Sequence, residues 1–159
     1  MNINIVCVGK IKEKFYKEAI DEYTKRLSKF CKVSIIEVSD EETPQNASEN
    51  LETIIRDKEG ERILKKISDS SYVITLEIKG NKIDSTDLSQ KINNLCVSGK
   101  SDITFVIGGS LGLADSVCKR SNYKLSFSDM TFPHQLMRVI LLEQIYRSFK
   151  IINNEPYHK

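Results

Sequence analysis

Two segments carry residue types that could do chemistry. The first is Gly108-Gly109-Ser110-Leu111-Gly112. Glycine has no Cβ and tolerates φ > 0, so such a turn lets the backbone pass close to a ligand. It is neither G-x-G-x-x-G nor G-x-x-x-x-G-K-[ST], so it indicates neither a dinucleotide nor a nucleoside triphosphate. The second is Phe127 to Gln135, an apolar stretch that turns polar and ends in Pro133-His134 at the head of a helical pattern carrying Arg138, Glu143 and Arg147. Arg138 and Glu143 are five residues apart, about 140° around a helix, so one solvated face cannot hold both. His134, beside a helix start, reads as a capping or packing histidine. The second imidazole, His158, stands in a polar tail that by itself reads as a loose end.

Metal chemistry is not expected. Cys7, Cys31, Cys96 and Cys118 are scattered without a C-x-x-C pair, and two histidines complete the set of soft ligands. A zinc site needs four clustered ligands. Free thiols in a reducing cytosol are the expectation.

These segments must be positioned by the elements around them, and the pattern alternates strand and helix throughout. Asn2–Val8, Lys32–Val38, Ser71–Ile78, Asp102–Ile107 and Tyr123–Ser128 read as strands, with Gly80 closing the third. Lys12–Phe30 places Phe15, Ala19, Ile20, Tyr23, Leu27 and Phe30 at helical spacing. A second helix spans about Ser48–Ile67 with Ser48 as N-cap, although Gly60 inside it weakens the pattern. Further helices fall at Thr86–Val97, around Ala114–Arg120, and from Pro133, suited to a first turn, to about Ile152. Such alternation predicts an α/β fold, a mostly parallel sheet with helices on both faces, in one domain over residues 1–159. Ligands of such sheets lie beyond the carboxyl ends of the strands. That places attention on Leu76–Gly80, Gly108–Gly112 and Ser126–Thr131.

Composition bounds the function. The chain has 159 residues, 40% of them hydrophobic and 29% charged, the balance of a folded globular protein. No apolar run is long enough to span a membrane, and the start lacks the pattern of a signal peptide, so a cytoplasmic protein is expected. A net charge of +2 argues against coating naked nucleic acid by charge alone. The basic residues from Lys119 onward read as a solvated face.

The motifs taken in order resemble a known family. They are Val106-Ile107-Gly108-Gly109-Ser110-Leu111-Gly112-Leu113, Leu125 through Arg138, Glu143-Gln144-Ile145-Tyr146-Arg147 and Pro156-Tyr157-His158-Lys159. Ile5 to Lys10 and Asp57-Lys58-Glu59-Gly60 fit as well. This set resembles the ribosomal large subunit methyltransferase H family, over essentially the whole chain. The resemblance implies a SPOUT-type fold with a C-terminal trefoil knot, which no periodicity argument could propose. It implies a homodimer that takes S-adenosyl-L-methionine as methyl donor. The implied substrate is N3 of a pseudouridine in 23S rRNA, within the assembled ribosome.

By that resemblance Leu76, Gly108, Phe127, Ser128, Asp129, Met130, Thr131 and Phe132 cradle the donor. Apolar walls and backbone groups suit adenine, ribose and a sulfonium, which accounts for the missing phosphate fingerprint. The same resemblance makes the tail catalytic, folded over the donor. His158 would be the base, with Tyr157, Lys159 and Arg138 orienting or stabilising the substrate anion. Lys159 stands where the family often has arginine, keeping charge without a bidentate fork. A noncatalytic RNA- or ribosome-binding factor of the same fold is the alternative, separated by whether S-adenosyl-L-methionine binds. A nucleotide-binding domain of unrelated chemistry is disfavoured by the missing phosphate loop.

Overall fold

Alternation along β1 (Asn2–Val8) sets the architecture. Ile3, Ile5 and Cys7 face one core while Val6 and Val8 face another, as a strand covered on both sides requires. The computed structural model describes all 159 residues. After β1 come α1 (Lys14–Leu27), β2 (Lys32–Val38), α2 (Glu49–Leu64) and β3 (Tyr72–Lys82). Then follow α3 (Ser85–Val97), β4 (Asp102–Ile107), α4 (Asp115–Arg120), β5 (Tyr123–Ser126) and α5 (His134–Ile152). The five strands form one sheet in the order β2-β1-β4-β3-β5, and every pairing is parallel.

Helices α1, α3 and α5 pack on the larger core through Ile20, Leu27, Leu88, Ile92, Leu141, Leu142 and Ile145. Helices α2 and α4 close the opposite face through Ile63, Ala114 and Val117. The expected α/β layering is therefore observed. No helix is long and apolar enough to cross a membrane.

Two local readings change. Helix α2 runs unbroken through Gly60, with the Ser48 hydroxyl accepting the Leu51 N–H at 3.2 Å as its N-cap. Glycine is needed there because a Cβ would lie 2.7 Å from that of Ala114, so α2 and α4 meet at the helix backbone. The third strand also does not end at Gly80. Leu76 and Asn81 both pair with Leu125, so Glu77–Gly80 is looped out of register before pairing resumes to Lys82. A bulge of this kind re-aims side chains at the strand end. Here it pushes residues 77–79 to the edge of a cavity.

Candidate functional site

The loops after the strands converge at the carboxyl end of β3, β4 and β5 on a cavity of about 620 Å³. That volume suits a small-molecule ligand. Its floor and walls are Leu76, Ile107, Leu113, Leu125, Phe127 and Met137, with the Gly108–Gly112 turn along one side and Met130–Phe132 along another. Of the residues expected to hold a donor, Leu76, Gly108, Phe127, Ser128, Met130, Thr131 and Phe132 all line it. Asp129 does not; its exposed carboxylate pairs with Lys82. The loop residue therefore turns to solvent between two neighbours that face the cavity.

The turn is tightly folded. A Cβ on Gly108 would lie 2.8 Å from the Gly112 carbonyl carbon, so any side chain there would force the turn open. The Gly112 N–H donates to the Gly109 carbonyl at 3.1 Å, closing it. Beneath Gly109 sits Glu59 of α2, which is 4% exposed and accepts the Glu41 N–H at 3.0 Å. Burial pushes the Glu59 carboxyl above its ordinary range. The Asp57–Gly60 motif thus acts beneath the turn, packing against it and against α4.

Charge is sparse in the walls. Glu77, held by the Thr75 hydroxyl at 2.7 Å, and Lys79 are the charged residues, and His134 is the imidazole. His134 was expected to cap or pack. Instead its ring lines the cavity, half-buried and without a hydrogen bond. Burial lowers its pKa and the nearby Arg138 guanidinium lowers it further, while Asp40 opposes them. Periodicity could not have found this role; the position of Pro133-His134, one loop beyond β5, was the available signal.

Arg138 was expected to touch the substrate, and the structure places it elsewhere. It is fully buried and does not line the cavity. One Nη pairs with Glu37 at 2.9 Å, and the other donates to the Val8 and Gly9 carbonyls at 2.9 and 2.7 Å. A guanidinium with five fixed donors can satisfy strand-end carbonyls and a carboxylate together. It clamps α5 to the ends of β1 and β2.

Tyr157 and His158 also lie away from the cavity of their own chain. The Tyr157 hydroxyl donates to Glu143 at 3.2 Å, and its ring packs edge-on to Tyr146 and 4.7 Å beneath the Arg147 guanidinium. Burial and the Glu143 carboxylate push the Tyr157 phenol up to about 12. Arg147 bonds Glu143 at 2.6 Å and reaches His158 Nδ1 at 3.3 Å. A guanidinium only donates, so Nδ1 is the acceptor and is already engaged. From His134 to Arg147 is thirteen residues, about 20 Å along the helix.

Known proteins resemble this chain in fold and in sequence. A solved structure described as a probable methylase family protein from Haemophilus influenzae Rd KW20 superposes with a TM-score of 0.50 at 16% identity. It covers 96% of this chain and 66% of that one, a likeness of fold. Relatives named ribosomal RNA large subunit methyltransferase H are 63% identical in Clostridium botulinum (strain Alaska E43 / Type E3) and 61% identical in Clostridium tetani. Each alignment spans 100% of both chains. The family model described as "Predicted SPOUT methyltransferase" matches residues 1–158. A chain matched so nearly from end to end, with its glycine turn and apolar cavity at the sheet's carboxyl edge, belongs to the SPOUT methyltransferase family.

Proposed function

We propose that this chain transfers a methyl group from S-adenosyl-L-methionine to N3 of a pseudouridine in 23S rRNA of the assembled ribosome. It does so as a cytoplasmic homodimer whose C-terminal loops are threaded as a trefoil knot. The naming of the full-length relatives supports an rRNA substrate for this chain. The observation that carries the donor assignment is the cavity itself, in which the residues expected at the donor converge from three separate loops.

The walls fit such a donor. Apolar side chains would cover adenine, the glycine turn would bring backbone groups against it, and no phosphate-binding fingerprint competes. The donor supplies an already activated methyl group. The protein's part is to hold the acceptor nitrogen in line and to exclude water. Phe127, Met130 and Phe132 supply apolar wall, and the clamp at Arg138 holds the head of α5 against the strand ends. Arg138 therefore acts by positioning.

The tail supports the dimer. Tyr157 and His158 rest on the far half of α5 and do not line their own cavity. A second copy would bring its tail over the first copy's cavity, where Tyr157 and His158 cover and orient the substrate base. The modest net charge leaves recognition to ribosome shape across both protomers. Mass spectrometry of 23S rRNA from cells with and without the gene tests the reading. Loss of one N3-methylpseudouridine is expected. Retention of that nucleotide, or calorimetry finding no affinity for S-adenosyl-L-methionine, would favour a noncatalytic ribosome-binding factor instead.

A further inference from the structure

The reaction proposed above removes a proton from N3 of the substrate base, and something must accept it. The tail histidine has its Nδ1 engaged by Arg147 on the surface of α5. The other imidazole stands in the cavity wall with no partner. Its nitrogens are not sealed away from solvent, since the buried side-chain atoms without a partner belong to Gln135 and Arg138, so a ligand entering the cavity could replace water at the ring. We propose that His134 is the proton acceptor for the substrate base, with Asp40 as the positioning carboxylate behind it.

The placement follows from three elements. His134 opens α5 immediately after the loop carrying Met130–Phe132, so it shares a wall with the donor residues. Its Nε2 faces the end of β1, 3.8 Å from where a Cβ of Gly9 would stand. The Asp40 carboxyl carbon lies 3.8 Å from the same point. The imidazole and the carboxylate therefore both lie against Gly9. A carboxylate beside one edge of the ring stabilises the imidazolium that forms when the ring takes a proton. Arg138, one turn along, works the other way and lowers the ring's affinity for a proton. Its charge is offset by Glu37, with which it pairs. Glu59 lies beyond, under Gly109, and Asp129 is turned away to Lys82.

The step balances. The N3 electron pair forms the new N–CH₃ bond, and the S–CH₃ pair stays with sulfur, giving a neutral thioether. The N3 proton passes to His134 and from there to water. Burial and Arg138 hold the ring below the ordinary histidine value of 6.5, so it is neutral and able to accept at neutral pH.

The inference rests on the proposed function, and its test separates the two. Ribosomes from cells lacking the gene are methylated in single turnover with saturating S-adenosyl-L-methionine, across pH, by wild-type and His134→Gln dimers. Wild type should lose rate as pH falls through a value below 6.5. His134→Gln should be slower by roughly 100-fold at neutral pH, with donor affinity by calorimetry within about threefold. Its rate should climb with pH as hydroxide replaces the base, and added imidazole should partly restore a His134→Gly variant. His158→Gln should keep the acid limb and raise the ribosome KM. An unchanged rate in His134→Gln, or loss of rate matched by loss of donor affinity, overturns the proposal. So does an acid limb that vanishes in His158→Gln instead. Should the variants misfold, ¹⁵N-imidazole NMR of wild type decides, because a His134 protonated where the enzyme is active cannot be the acceptor. If wild type itself transfers no methyl group to the rRNA, the functional reading fails, whatever the variants do.

Discussion

At its first turn α5 presents His134 and Met137 to a cavity, and the His134 ring has no partner. In its second half the same helix presents Glu143 and Arg147, which bond each other, Tyr157 and His158 until little polar capacity remains. Between the two stands Arg138, buried, its two Nη groups committed to strand-end carbonyls and to Glu37 while Nε has no partner. One helix thus carries an unsatisfied end, a clamp and a satisfied end. The lesson is that chemistry-bearing residue types do not mark a site by themselves. Where the packing places them relative to the cavity separates His134 from Arg138 and Arg147.

The clamp is the strongest point at which to break this comparison. Arg138→Met should leave Glu37 and two carbonyls without their donor, destabilising the fold by about 3–5 kcal/mol. A melting temperature lower by roughly 10 °C is expected for a chain of this size. A variant melting with wild type would mean that the buried ion pair does not hold the ends of α5 apart in function.

The cavity end comes next. Gly108→Ala would set a Cβ 2.8 Å from the Gly112 carbonyl carbon. Donor affinity by calorimetry should fall about 100-fold, with a smaller loss of stability of roughly 1–3 kcal/mol. Unchanged affinity would remove the glycine turn from the donor site.

The tail end should respond less. Tyr157→Phe deletes the bond to Glu143 while keeping the ring against Tyr146 and Arg147, so stability should fall by about 0.5–1.5 kcal/mol. Donor affinity should not change, because the ring that would cover the partner copy's cavity is kept and the lost hydroxyl bonds Glu143. A large loss of donor affinity would show that the tail covers the donor more closely than this arrangement suggests.

The smallest effect is expected at Asp129. Its pair with Lys82 is exposed on both sides, and such pairs contribute about 0–1 kcal/mol. Asp129→Ala should leave melting and donor affinity near wild type. A tenfold loss of affinity would place this side chain at the donor after all and sharpen the account of the loop.

Much of this was legible in the sequence. Alternating strand and helix patterns, the Ser48 cap and the apolar faces follow from period and propensity, which are local properties. The carboxyl-edge rule pointed to Leu76–Gly80, Gly108–Gly112 and Ser126–Thr131, and the family resemblance implied Leu76, Gly108 and Phe127–Phe132 as donor contacts. Local pattern failed where a distant backbone decided. Gly60 looked like a weak point in a helix and is a contact with Ala114, fifty-four residues later. Gly80 looked like a strand end and lies in a bulge set by Leu125. Arg138 and His134 are one turn apart on one helix. Only packing against β1 and β2 buries the first as a clamp and leaves the second open to a cavity. Which side chain is satisfied and which is left with capacity depends on partners far away in sequence, and the tertiary structure alone brings those partners together.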